Sequence, residues 1–183
     1  FGPYIVRNIN DAHTVPWQYL FTRGLVIFAL LNVYLYLEEG LNFISNYKKI
    51  GISGIIGGTG LALAMITFIW SITNTSAAIT LLCLAAMPFI TALLGFLFLK
   101  ETISINVWIS IGIATVGIII MAFGNHEKNT LIGFILGIVS AVGFSIFSVS
   151  LRWRKETPKF TTVALAGLIC FIVSLIVITS KDL

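Results

Sequence analysis

Six runs of twenty or more residues, almost free of charge, follow one another along this chain with only short polar joints between them. They are Pro16–Leu37, Ile50–Trp70, Ala77–Leu99, Ile103–Phe123, Leu131–Leu151 and Phe160–Thr179. A bilayer core about 30 Å thick is crossed by a helix of about 20 apolar residues. Backbone groups in hydrocarbon must bond within their own segment, which selects helices. Each run therefore has the length of one crossing, and the joints leave no room for a soluble domain. A soluble helical protein would show a polar stripe at the helical period; Ile111–Ala122 and Leu165–Ile178 have none. With 58% hydrophobic and 10% charged residues, and mean hydropathy +1.03, the chain lacks the charge to coat a soluble surface. The expected fold class is all-α, a polytopic transmembrane helix bundle.

The net charge of +4 matters less than its placement. Taking alternate joints as one side, Lys48, Lys49, Lys100, Arg152, Arg154, Lys155 and Lys159 fall together. Arg7, Lys128 and Lys181 fall on the other, and Arg23 lies within a run. Positive residues collect on the cytoplasmic side. The Lys48, Lys100 and Arg154 joints are therefore expected inside, in a cytoplasmic (inner) membrane, and the basic balance reads as topology rather than nucleic-acid binding. Cys83 and Cys170 lie in apolar runs, where small hydrophobic packing is the plain reading. His13 and His126 fall in outside joints, and no metal-ligand spacing or cofactor motif is present.

The chain opens on Phe1-Gly2-Pro3-Tyr4 without a signal-peptide pattern. Residues 1–6 read as the last turns of an earlier helix, and Lys181-Asp182-Leu183 stands just past a span. The sequence is expected to be a fragment of a longer protein.

Local signals refine the runs. Pro16 suits a first helical turn and Trp17 an interface belt. Gly54-x-x-x-Gly58 permits close helix approach; helix packing and a thin wall beside a solute path are both open. Pro88, near the middle of its run, is expected to kink the helix. In the tight joint Lys100-Glu101-Thr102, Glu101 suits the next helix's N-terminus and Thr102 its cap. Gly133-x-x-x-Gly137 with Ala141 gives another small-residue face. Residues 1–37 and 147–178 are loosely alike, each with an Arg-bearing helix end, a Pro-bearing joint and an apolar span. A unit restarting there holds five helices, and an odd number turns the second unit upside down, the inverted-repeat plan of many secondary transporters.

The stretch from Ile72 to Gly124 carries Ala77-Ala78, Pro88-Phe89, Leu94-Gly95, Leu99-Lys100-Glu101 and Gly112 with Gly117. It resembles the EamA-type transporters of the drug/metabolite transporter superfamily, as does Trp17-Gln18 followed by Arg23. The resemblance implies inverted five-helix repeats, ten helices in the intact protein and about six complete here. It places a first repeat at residues 1–123, a joint at 124–129 and a truncated second repeat at 130–183. Helices eight to ten would add roughly 90 residues. It also implies a small-molecule solute moved across the membrane by alternating access: amino-acid-like, nucleoside-like or drug-like.

Polar side chains at membrane depth are functional candidates. Arg23, about two turns inside its run, reads either as a snorkelling cation or as a cavity-facing one for an anionic or zwitterionic solute. Asn32, Thr59, Thr67, Trp70, Asn74, Thr80 and Thr91 form a second group, each of which also suits interhelical bonding or, for Trp70, the interface. Thr59 and Thr67 are expected on one helix face. No Asp or Glu lies inside a complete run, so a coupling carboxylate is expected elsewhere or not at all. The competing classes are a membrane-embedded enzyme, which needs an embedded nucleophile and base or a metal helix, and a channel, which favours charge rings or a filter loop. Neither pattern is in the sequence. Oligomeric state is not encoded in any of these features.

Overall fold

The computed structural model describes residues 15–40, 43–124 and 128–180. Arg7, His13, His126, Lys181 and the expected end of an earlier helix lie outside the described residues. The described chain folds as α1 (Val15–Glu39), α2 (Phe43–Lys49), α3 (Gly51–Asn74), α4 (Ala77–Ala85), α5 (Met87–Leu99), α6 (Ile105–Gly124), α7 (Lys128–Trp153) and α8 (Lys159–Ser180). Five segments are long and apolar enough to cross a membrane: α1, α3, α4 with α5, α7 and α8. The remaining apolar run forms α6, of 20 residues, with its described apolar stretch at Ile105–Gly117. This is a polytopic helical bundle.

The ends of these helices follow from local chemistry. Ser76 caps α4, its side chain accepting the Ile79 N–H at 3.2 Å. The run from Ala77 breaks at Ala86, and Pro88 sits in the first turn of α5. Proline has no N–H to offer the preceding turn, and the break tightens instead, the Ala86 N–H reaching the Cys83 carbonyl at 3.1 Å. Lys100 ends α5 in the left-handed region at φ 56°, and the Glu101 N–H returns to the Gly95 carbonyl at 3.3 Å. Helix α6 starts later than the sequence suggests. Ser104, not Thr102, stands before it and accepts the Val107 and Trp108 N–H groups. Glu101 turns away to pair with Arg152 at the end of α7. The joint before α3 also differs: it winds into α2, flanked by Gly40 and Gly51 at φ 61° and 60°, where a side chain would be strained.

Helix α3 is central. It packs against α7 and α8, α1 packs against α8, and α4 and α5 lean on α7. Helix α6 touches α5 at the edge, where Phe96 and Trp108 meet edge to face. Contacts of Gly57 with Ser150, Gly60 with Ile146 and Thr75 with Gly133 make α3 and α7 antiparallel. Gly54 against Thr162 and Gly58 against Leu165 make α3 and α8 parallel. Alternate crossings thus run in opposite directions.

At the crossing of α3 and α7 a Cβ on a glycine would meet the backbone or the side chains of the facing helix. A Cβ on Gly143 would stand 2.6 Å from the Gly60 carbonyl oxygen, and one on Gly60 would stand 2.9 Å from Ile146 Cγ2. The core beside them holds Leu20, Leu61, Ala62, Met65, Ile69, Ala166 and Cys170. Gly143→Ala is expected to separate α3 from α7 and cost about 1–3 kcal/mol. Gly112, with nothing within 4 Å, is expected to accept Ala at no cost or with a gain of up to about 1 kcal/mol. Thermal unfolding of the two variants in detergent checks the contrast; equal melting shifts would refute it.

Candidate functional site

One face of α3 is left open. Ile52, Ile55, Ile56 and Leu63 are exposed, Thr59 lies among them, and the stripe continues to partly buried Ile66 and Trp70. The opposite faces carry the glycines and small residues that meet α7 and α8. Thr59 thus stands on the open side, its hydroxyl donating to the Ile55 carbonyl at 2.9 Å. Thr67, expected on the same face, is buried and donates to the Leu63 carbonyl at 2.8 Å.

At the Trp70 end of this stripe, Trp17 from the start of α1 packs against Trp70, with ring centroids 5.5 Å apart and planes tilted by 57°. Both indole nitrogens are buried and neither has a hydrogen-bond partner. A buried donor without an acceptor costs about 1–3 kcal/mol, so two together mark a place suited to receiving an acceptor. Asn74, one turn further on, is turned away, its Nδ2 donating to the Trp70 carbonyl at 2.7 Å.

Arg23 is partly exposed in α1. Among the described residues it has no ion-pair or hydrogen-bond partner. It stands beside Gly24, where α1 crosses α8 closely: a Cβ on Gly24 would lie 2.8 Å from the Gly167 carbonyl oxygen. Arg23 and the two tryptophans offer only donors. Each suits a carboxylate or another electron-rich group as its partner.

Two of the other candidates, Asn32 and Thr80, bond to neighbouring elements. Asn32 accepts from the Tyr47 hydroxyl at 2.8 Å and donates to the Phe28 carbonyl at 2.7 Å, tying α2 to α1. Burial pushes the Tyr47 phenol above its ordinary pKa, and the bond to Asn32 opposes this. Thr80 is fully buried, its hydroxyl 2.8 Å from that of Ser71, which also donates to the Gly133 carbonyl at 2.7 Å. Thr91, beyond the Pro88 break, has a buried hydroxyl without a partner. Cys83 and Cys170 are buried free thiols, Cys170 Sγ lying 3.6 Å from the Leu20 carbonyl. No group of three metal-ligating side chains gathers among the described residues.

Residue patterns did not reveal the Trp17–Trp70 pair, although a signal exists: alternating topology puts both at the same end of their helices. Nothing local marks Ser71, Tyr47 or the Glu101–Arg152 pair, because each is defined by a partner on another segment of the chain.

With this geometry in hand, comparison with known proteins is decisive for the family. The EamA-like transporter family matches residues 2–123. The chain belongs to the EamA-like transporter family. Two relatives from Helicobacter pylori, each named an uncharacterized transporter, are 29% identical (strain J99 / ATCC 700824) and 27% identical (strain ATCC 700392 / 26695) over 162 residues. The alignment covers 87% of this chain and 53% of each relative, so the chain spans about half the length of the curated relatives it matches. No solved structure matches it. The family match begins before α1 and ends within α6, so Arg23, the α3 stripe and both tryptophans lie inside it.

Tyr47→Phe is expected to loosen α2 and lower stability by about 1 kcal/mol. Because one bond joins Tyr47 and Asn32, the variant carrying Asn32→Ala as well should melt no lower than Asn32→Ala alone. Additive losses in detergent melting would refute the shared bond.

Proposed function

We propose that the intact protein is a secondary carrier of small organic solutes in the cytoplasmic membrane, working by alternating access. Residues 1–123 form its first repeat and 130–183 open an inverted second one. The ends bearing Lys48, Lys100 and Arg154 face the cytoplasm, as the distribution of basic residues favours. The solute is small and amino-acid-like, nucleoside-like or drug-like, and Arg23 favours members of that range with an anionic or zwitterionic group.

The observation that carries the reading is Arg23, a cation at membrane depth with no partner among the described residues, in a chain of a transporter family. Charge at such depth is costly and is kept where it meets an ion, a substrate or a cavity. The donor pair Trp17 and Trp70 and the open Thr59 side of α3 supply an aromatic wall and further polar contact. Asn32 and Thr80 tie neighbouring elements together through Tyr47 and Ser71, while Thr67 and Asn74 bond to carbonyls of their own helix.

Uptake into liposomes containing the full-length protein tests the reading with a panel of labelled amino acids, nucleosides and organic acids. At least one panel member should accumulate. Arg23→Ala should reduce its uptake about tenfold or more, as loss of a charge-assisted bond implies, and Arg23→Lys should retain part of it. Absence of uptake across the panel overturns the carrier reading. Unchanged uptake and preference in Arg23→Ala removes Arg23 from the site.

A further inference from the structure

Two joints far apart in the chain close on one another at one end of the bundle. The turn at 154–157, in which the Thr157 N–H donates to the Arg154 carbonyl at 3.0 Å, sits on the first turn of α3. Ser53 and Thr157, 104 residues apart, are both buried with their hydroxyls 2.6 Å from one another. A Cβ on Gly54 would stand 3.1 Å from Thr157 Cγ2. Beside this contact the Arg154 guanidinium lies over the Gly51 backbone, where a Cβ would stand 2.9 Å from Arg154 Nη1. Gly51 has φ 60°, so a side chain at that spot would be strained as well as crowded. Lys48 and Lys49 end α2 just before it, and Lys155 follows Arg154.

The result is a gathering of charge without counter-charge. Lys48, Lys49, Arg154, Lys155 and Lys159 are all exposed, and none of the five forms an ion pair among the described residues. Between Phe43 and Gly51 there is no acidic residue, and between Arg152 and Lys159 only Glu156. Two other carboxylates at this end are taken: Glu39 accepts from Asn46 of α2, and Glu101 pairs with Arg152. Glu38, exposed at the end of α1, pairs with none of the five. Like charges repel, and the tie between Ser53 and Thr157 keeps the two joints from moving apart. Aromatic rings stand among the cations. Trp153 is 59% exposed, and Phe160, 52% exposed, packs against Tyr34 with ring centroids 5.4 Å apart.

We propose that this ledge binds the headgroup phosphate of an anionic phospholipid, with Arg154 and Lys155 from one joint and Lys48 and Lys49 from the other closing on it. A guanidinium presents paired N–H donors that match phosphate oxygens, so Arg154 is the directional contact and the lysines supply the field around it. Position argues for a lipid over a soluble anion. The cations stand at the ends of helices long and apolar enough to cross a membrane, and exposed rings at such ends sit at headgroup level. Basic clusters in that position attract anionic lipid, each Lys or Arg strengthening the attraction about fivefold. A lipid held there bridges the α2–α3 and α7–α8 joints and neutralises charge that neither joint neutralises for the other.

The site does not depend on the carrier reading, and its test involves no transport. Full-length protein in detergent is mixed with equal amounts of phosphatidylglycerol and phosphatidylcholine, and the lipid retained is counted by native mass spectrometry. Phosphatidylglycerol is expected to be preferred about tenfold or more. Arg154→Gln combined with Lys155→Gln should bring the two lipids close to parity, whereas Lys100→Gln, on the turn between α5 and α6, should keep the preference. Equal retention of both lipids by the unaltered protein overturns the site, as does an undiminished preference in the double variant. A loss in Lys100→Gln as large as that in the double variant means attraction by overall charge and overturns it too. Inorganic phosphate at millimolar concentration should leave the lipid in place; displacement would make the ledge a site for free anions and overturn the lipid assignment. If the double variant does not accumulate, Lys48→Gln with Lys49→Gln takes its place, with the same expected and overturning results.

Discussion

Two apolar helices in a bilayer gain nothing from the hydrophobic effect by meeting, because lipid tails are as apolar as leucine. What holds this bundle is the close approach of α3 to α7 and α8, which the absence of side chains at Gly57, Gly60 and Gly143 permits. Close approach lets dispersion contacts accumulate, and it brings backbone carbonyls within reach of hydroxyls on the facing helix. Ser140 donates to the Ala64 carbonyl at 2.9 Å and Ser71 to that of Gly133 at 2.7 Å, while the Ser53 and Thr157 hydroxyls lie 2.6 Å apart. Each bond needs the helix axes near one another. Pushing α3 and α7 apart by one methyl would lengthen several of them at once.

The break in the α4–α5 segment is governed by the same rule from the other direction. Interrupting a helix in hydrocarbon exposes backbone groups, and such a break survives where a neighbour supplies partners. Here the neighbour is α7. Ser145 donates to the Met87 carbonyl at 3.1 Å, beside Pro88, and Cys83 Sγ lies 3.8 Å from the Phe134 carbonyl one turn before it. The bend is therefore fitted to the small-residue face of α7, and α4 and α5 follow that helix along its length. Among the described residues, helix α6 meets α5 through the ring pair of Phe96 and Trp108.

Much of this was legible in the residues because the bilayer leaves few solutions. Run length gave the crossings, and Gly54, Gly58, Gly133 and Gly137 announced close packing. Gly54 and Gly58 indeed face α8, and Gly133 and Gly137 face α3 and α4. What escaped was partner choice. Asn32 and Thr80 read as membrane-depth polar groups suited either to a solute or to interhelical bonding, and local pattern did not name the partners they have here, Tyr47 and Ser71. Glu101 read as a helix-dipole residue, yet it spans to Arg152, because the extended stretch before Ile105 carries it away from α6. Local pattern fixes which side chains are polar and how deep they lie. Which of them meet depends on partners 9 to 104 residues away on other segments, and no periodicity encodes that.

The residue that resists a purely structural account is Arg23. Most hydroxyls and amides elsewhere in the described bundle find a partner within their own helix or on a neighbouring one, the buried hydroxyls of Thr75, Thr91 and Thr161 excepted. A guanidinium cannot be satisfied so cheaply: it carries five donors and a charge that a single carbonyl does not neutralise. Ala166, on the side of α8 that faces the core, shows what packing alone selects, a residue small enough to be fully buried. A partly exposed cation on α1 forgoes that packing. The indole nitrogens of Trp17 and Trp70 are donors likewise left without acceptors. All three ask for the same kind of partner, an acceptor that none of the described residues supplies.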